Sequence, residues 1–195
     1  MPKIVDYEEK KKEIAVKAIE IFIEKGYYSA NISDIAKRSG MGRTNFYQYF
    51  SNKDEIYDFA IDMAFACLSK DFDIVMATED DALSAIAKIV RQTIDDYRKN
   101  DLIIVIVELW LVTNREKNRI SERLQSRTRR INDLFFEILE KGYEKGQLGE
   151  FDLKAMADLI YVFTEALLLQ MAFYGEKGIE AKLDVLDILL NGLRS

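Results

Sequence analysis

An all-α fold is predicted by three features of the 195-residue sequence. Proline occurs once and glycine nine times, too few breakers to fragment a chain of this length. Apolar residues recur at spacings of three and four through most of it. The most strand-like run, LIIVIVELWLV (Leu102–Val112), has no second strand to complete its ladder and reads as a buried helix. About nine helices are expected, with a small head over residues 1–50 and a larger body over residues 51–195.

In order, Tyr7–Lys25 carries a stripe of Ile14, Ala18, Ile21 and Phe22 among Lys and Glu residues, and Gly26 is a natural stop. Asn31 followed by Asp34 reads as an N-cap with an acidic third position, opening a second helix that runs to Ser39. After the turn Gly40-Met41-Gly42, a third helix is expected over Arg43–Phe50. Phe46, Tyr49 and Phe50 fall on one side of it. Arg43, Thr44, Tyr47 and Gln48 fall on the other, with Asn45 at the margin. Such a helix is only about 12 Å long and is not stable alone. Neighbours must hold its aromatic side, which leaves a face of hydrogen-bonding groups outward.

Ser51 or Asn52 is suited to cap a fourth helix from Lys53 to about Met76. Its two apolar stripes, one through Ile56, Ala60, Met63 and Cys67 and one through Tyr57, Ile61, Phe65, Leu68 and Phe72, predict packing against two bodies at once. Thr78 with Asp81 is expected to cap a fifth helix striped by Leu83, Ile86, Val90, Ile94 and Tyr97. Residues 116–145 are expected to form a long helix striped by Ile120, Leu124, Ile131, Phe135, Ile138 and Leu139, ended by Gly146-Gln147-Leu148-Gly149. Asp152 caps the next, which runs to about Tyr174 and is apolar nearly all round in its second half. The last places Ile179, Leu183, Leu186, Leu190 and Leu193 in a narrow seam for another helix.

Composition bears on the chemistry. The sequence has no histidine, which removes the commonest general base and metal ligand. Acidic residues sit beside Lys and Arg at helix-surface spacings, as solvated faces do. No phosphate-loop or dinucleotide signature appears. No catalytic residues, metal site or cofactor are expected. One cysteine, Cys67, forms no internal disulfide and suits a reducing cytoplasm, and the opening MPKIVDYEEKKKE lacks a signal peptide's apolar core. Neither apolar run is expected to cross a membrane: Leu102–Val112 is too short, and residues 155–174 are interrupted by Asp158, Glu165 and Gln170. The net charge is −6, while residues 1–60 hold ten basic and ten acidic residues. A nucleic-acid face would therefore be a local patch.

Three short helices with a glycine turn before the third make a helix-turn-helix arrangement. The stretch EIAVKAIEIFIEKGYYSANISDIAKRSGMGRTNFYQYFSNKDEIY resembles the DNA-binding head of TetR-type transcriptional repressors. Phe22, Gly26-Tyr27, Ile35-Ala36, Gly40, Phe46-Tyr47, Tyr49-Phe50 and Lys53 all fall in register. The resemblance implies a homodimer that places one third helix per subunit in the major groove of a palindromic double-stranded operator. It implies that Arg43, Thr44, Asn45 and Gln48 face base edges or nearby phosphates. It makes Tyr47 and Lys53 phosphate anchors, and Asn31 a phosphate-contacting N-cap. Two departures stand out: Gly42 replaces a capping Ser or Thr, and Asn45 and Gln48 replace commoner residues, so no relative's operator transfers.

The body is expected to dimerise through its last two helices, with Leu159 on one and Leu183, Leu186 and Leu190 on the other. A small, largely apolar inducer is expected among Phe65, Phe72, Trp110, Phe135 and Phe163, where it would tilt the fourth helix and respace the two heads. The arginines of residues 115–130 read either as a solvated face or as a site for an inducer's acidic end. The competing function is a helical small-molecule carrier or interaction protein whose head binds no DNA; an enzyme using only carboxylates and tyrosines is a weaker third.

Overall fold

A computed structural model describes residues 7–99 and 119–195, and their fold is all-α. Eight helices lie among the described residues: α1 (Tyr7–Lys25), α2 (Ile32–Arg38), α3 (Arg43–Phe46), α4 (Lys53–Thr78), α5 (Ala82–Lys99), α6 (Arg119–Glu144), α7 (Leu153–Tyr174) and α8 (Ile179–Asn191). The helix expected over 102–112 lies outside the described residues, as does Trp110. The described backbone forms two compact units, one including residues 7–66 and the other residues 67–99 and 123–195. The continuous helix α4 contributes its start to the first and its end to the second.

In the first unit, the α1 stripe broadens to Ile14, Ala15, Ala18, Ile19, Ile21 and Phe22, all buried. Gly26 adopts φ +79°, the left-handed geometry that lets α1 end where its apolar face ends. Asn31 caps α2 as expected, its Oδ1 accepting from the Asp34 amide at 2.9 Å. On the surface, Arg38 grips both carboxylate oxygens of Glu24 at 2.8 and 2.7 Å, and Lys25 meets Asp34 at 2.9 Å. Exposed pairs of this kind each contribute less than about 1 kcal/mol. Burial of Ile35, Ala36 and the α1 stripe holds the two helices together. Asn52 opens α4 with a capping box: its Oδ1 accepts from the Glu55 amide, and Glu55 reaches back to accept from the Ser51 amide.

In the second unit, the expected stripe on α5 is buried in full, from Leu83 to Tyr97. Its cap is Asp81, which accepts from the Ser84 amide at 2.8 Å. Thr78 is not part of that cap. It is the last residue of α4, and its hydroxyl donates back to the Ile74 carbonyl, a local bond that competes with capping downstream. The ring of Phe72 meets that of Phe135 edge-on, centroids 5.2 Å apart. Near the end of α6, a Cβ on Gly142 would stand 2.4 Å from the Ala82 Cβ, so only glycine lets the start of α5 approach this closely. Both α7 and α8 pack on α5. Arg91 bonds Asp187 at 2.6 Å, and Arg98 bonds Glu176 and Glu180 at 3.1 and 2.7 Å along the α5–α8 side. Arg194 closes the chain's end onto the α5 cap, holding both Asp81 oxygens at 2.8 and 3.1 Å.

Helix α7 is long and apolar enough to cross a bilayer by length and composition. One face of it, Ala157, Ile160, Thr164, Leu167 and Met171, is buried within the unit. The other carries Leu159, Val162 and Phe173 to the surface.

Candidate nucleic-acid interface

The segment after Gly42 is more tightly wound than its sequence suggests. Helix α3 covers only Arg43–Phe46. Beyond it, the Gln48 and Tyr49 amides donate to the carbonyls three residues back, Asn45 and Phe46, at 3.2 and 2.9 Å. The expected helix over Arg43–Phe50 is thus one α-helical turn, tighter bonds at Gln48 and Tyr49, and a four-residue bond from the Phe50 amide to the Phe46 carbonyl at 3.2 Å. Gly42 supplies no side-chain cap, and an eight-residue segment has too few internal bonds to enforce the α-helical pattern. Tertiary packing sets its shape instead. Phe46 and Phe50 are 0% and 1% exposed, and Phe50 meets the Phe59 ring of α4 at 5.5 Å.

The polar arc survives this change. Arg43, Thr44, Asn45, Tyr47 and Gln48 are all exposed, while Tyr49 is half-buried. Arg43 Nη2 lies 3.3 Å from the Tyr47 hydroxyl, with the guanidinium over that ring at 5.9 Å. An open groove of about 840 Å³ runs beside the arc, lined by Tyr28, Asn31, Asp34, Arg43, Asn52 and Lys53 among others. The hydrogen bond and charge of Lys25 hold the Asp34 carboxyl below its usual range, so this anion carries its own counterion.

Lys53 enters the groove differently from expectation. Its ammonium donates to the main-chain carbonyls of Tyr27, Tyr28 and Ala30 at 2.9, 3.2 and 2.8 Å, and lies 4.9 Å from the centre of the Tyr27 ring. All three N–H donors face protein acceptors. The residue clamps the α1–α2 connection onto the start of α4. Next to it, the buried Tyr27 hydroxyl donates to Asp54. Burial, reinforced by that bond, pushes the phenol far above the usual tyrosine range. Nothing in the local sequence pattern signals this clamp, because its acceptors are main-chain atoms more than twenty residues away.

Tyr7 contacts the end of this segment, although no sequence pattern marks it. Its hydroxyl donates to the Gln48 carbonyl at 2.8 Å, and its ring stacks on Tyr49 with centroids 5.1 Å apart.

Residues 14–58 match the family model described as "Bacterial regulatory proteins, tetR family". Over those residues the head is of the type found in the TetR family. This is a family of bacterial transcriptional regulators. The chain is similar to the HTH-type transcriptional activator FasR of Mycolicibacterium smegmatis, 36% identical over 50 residues, 26% of this chain and 23% of that one. The chain thus matches under a quarter of FasR's length. It is also similar to IcaR of Staphylococcus epidermidis, a negative transcriptional regulator of the biofilm operon icaADBC. That match is 22% identical over 171 residues, 87% of this chain and 88% of IcaR. In fold it is similar to the fatty acid degradation regulator FadR of Bacillus halodurans, with a TM-score of 0.80, 19% identity and coverage of 93% and 94% of the two chains.

The body departs from expectation at its surface. Leu183, Leu186 and Leu190, expected at a subunit interface, are 2%, 5% and 4% exposed within the single chain. The seam is spent on α5 of the same molecule. A leucine repeat specifies that a helix packs there, without specifying whose. The opposite face of α8 presents Val185, Ile188 and Leu189, which join Leu159 and Val162 of α7 as exposed apolar residues. Their spacing of three and one along α8 is legible in DVLDILL, where the longer seam overshadows it. Of the expected inducer-pocket residues, Phe72 and Phe135 are buried against each other and Phe163 is half-buried on α7. Phe65 is described only as a position within α4. Among the arginines of residues 115–130, Arg129 and Arg130 are exposed on α6, and residues 115–118 lie outside the described residues.

Proposed function

We propose that this chain is a ligand-responsive DNA-binding regulator, a repressor that binds a palindromic operator as a homodimer and leaves it when a small, largely apolar inducer binds the body. The observation that carries the reading is the arc of Arg43, Thr44, Asn45, Tyr47 and Gln48, exposed on a segment whose Phe46 and Phe50 are locked in the core. Arg, Asn and Gln have the donor and acceptor geometry for purine edges in the major groove. Tyr47 and the Asn31 end of α2 are suited to phosphate contact, and Lys53 holds the α1–α2 connection that carries Asn31. IcaR is named as a negative regulator, which favours repression.

A second copy covers the apolar face made by Leu159 and Val162 of α7 with Val185, Ile188 and Leu189 of α8. Two helices from each subunit then form a two-fold four-helix contact, and the heads read half-sites one or more turns apart, about 34 Å or a multiple. The aromatic pair Phe72–Phe135 and the apolar interior of α7 favour an apolar inducer, as does similarity in fold to a regulator of fatty acid degradation. The test is a gel shift against DNA flanking the chain's own gene at fixed, low salt. A shift competed by the same sequence and spared by a scrambled one supports the reading. No shift with any flanking fragment favours the carrier function instead.

A further inference from the structure

Helix α3 is a single turn, so the direction in which Gln48 points is set by whatever holds residues 47–50. Two interactions hold that stretch from its outer end, and both come from the first residue of α1. The Tyr7 hydroxyl donates to the Gln48 carbonyl at 2.8 Å, and the Tyr7 ring stacks on Tyr49 at an interplanar angle of 20°. Main-chain carbonyls past the last turn of a helix lack an intrahelical donor, and the phenol supplies one here. Tyr7 is itself seated by Lys11, whose ammonium lies 5.7, 5.0 and 5.2 Å from the ring centres of Tyr7, Phe50 and Phe59. That ammonium also stands 4.0 Å from Glu55, the capping-box residue of α4.

We infer that Tyr7 is a positioning residue for sequence reading: it fixes the exit of the α3 segment and so aims Gln48, without itself needing to touch DNA. The inference rests on the DNA-binding reading above. It separates two tasks within the head. Phe46 and Phe50, 0% and 1% exposed, keep the head folded. Tyr7 is about half exposed (48%), so its removal leaves the hydrophobic core filled and loosens only the reading end. Loss of Tyr7 therefore reduces discrimination between sequences and leaves general affinity for DNA in place, since the latter is set by charge.

The experiment compares wild type, Tyr7→Phe and Tyr7→Ala on two duplexes at one salt concentration, one selected from a randomised pool by the wild-type protein and one a scramble of it. Amide hydrogen exchange at residues 48–50 is followed in the free proteins. Tyr7→Phe keeps the stack and loses the hydrogen bond; Tyr7→Ala loses both. The ratio of selected to scrambled affinity is expected to fall roughly fivefold in the first and roughly twentyfold in the second, with scrambled-duplex affinity within about twofold of wild type and exchange at residues 48–50 accelerated in the same order. A wild-type protein that fails to discriminate the duplexes overturns the DNA-reading function and this inference with it. A discriminating wild type matched by both variants overturns the inference alone. If Tyr7→Ala fails to fold, Tyr7→Phe decides: an unchanged ratio and unchanged exchange refute the positioning role.

Discussion

The Lys53 ammonium sits 2.8 Å from the Ala30 carbonyl and directs its other protons at Tyr28 and Tyr27. A lysine so engaged behaves as a structural clamp, and this changes what its removal does. Replacing a phosphate-binding lysine with alanine lowers the magnitude of the salt slope of DNA binding by about one. Lys53→Ala is instead expected to destabilise the head by about 2 kcal/mol, as charged hydrogen bonds to partly buried carbonyls do, with the salt slope unchanged. Thermal melts together with a salt titration of DNA affinity distinguish the two; a slope reduced by one in a head of normal stability would restore the phosphate role.

Reading residues and supporting residues should separate cleanly. Arg43→Ala and Gln48→Ala, both at exposed positions, are expected to weaken specific binding by about 1–3 kcal/mol each where they meet a base, with melting temperatures unmoved. Phe50→Ala, at a fully buried position, is expected to cost the head about 3–5 kcal/mol. Circular dichroism melts alongside anisotropy titrations provide both readings, and unaltered operator affinity in both surface variants would contradict the assignment of the arc.

The subunit interface is expected on the outer face of α8. Ile188 and Leu189 are 70% and 60% exposed, so replacing both with Lys should give folded monomers that no longer bind a palindrome. Leu186→Lys should unfold the body, because it places a charge in the α5–α8 core. Sedimentation velocity separates these outcomes; a wild-type monomer at micromolar concentration would refute the homodimer.

Asp81 gives a pH signature. Its hydrogen bond to Arg194, helped by the Ser84 amide, holds the carboxyl well below the usual carboxylate range. A carboxylate whose pKa is lowered on folding adds stability that is present above its unfolded value, near about 4, and lost as pH falls toward the folded one. Asp81→Asn keeps a capping oxygen and loses the ion pair. The partly exposed pair limits the difference to about 1 kcal/mol at neutral pH, and the wild-type advantage should shrink steadily below about pH 4. Urea unfolding at several pH values measures it, and an advantage that persists to low pH would exclude this pair as its source.

Regulation obeys reciprocity. An inducer that weakens operator binding about 100-fold must itself bind the operator complex about 100-fold more weakly, about 2.7 kcal/mol. Calorimetric titration of the inducer into free protein and into the complex should show that difference. Equal affinities would mean that the ligand does not regulate DNA binding.

Much of this architecture was legible because helical periodicity and caps are local. Asn31, Asp152 and the α5 stripe could be read from a few neighbouring letters. The errors share one origin, in long-range geometry. Thr78 and Asp81 read together as one cap, and only the length of α4, which takes in Thr78, leaves that role to Asp81. Leu183, Leu186 and Leu190 form a good seam, and only the fold reveals that α5 occupies it. Lys53 and Tyr7 act on main-chain carbonyls, which every residue possesses, so no side-chain pattern announces them.

That last property has an evolutionary consequence. Tyr7 holds position 48 by its main-chain carbonyl, a contact that does not depend on which side chain stands there. Arg43, Thr44 and Asn45 are likewise exposed. Under the proposed function, substitutions at these positions alter what is read while leaving the scaffold's stability nearly untouched. A duplicated copy of this gene is thus free to drift toward a new target through single changes, each tolerated by the fold, with Phe46, Phe50 and the tyrosine clamp held constant.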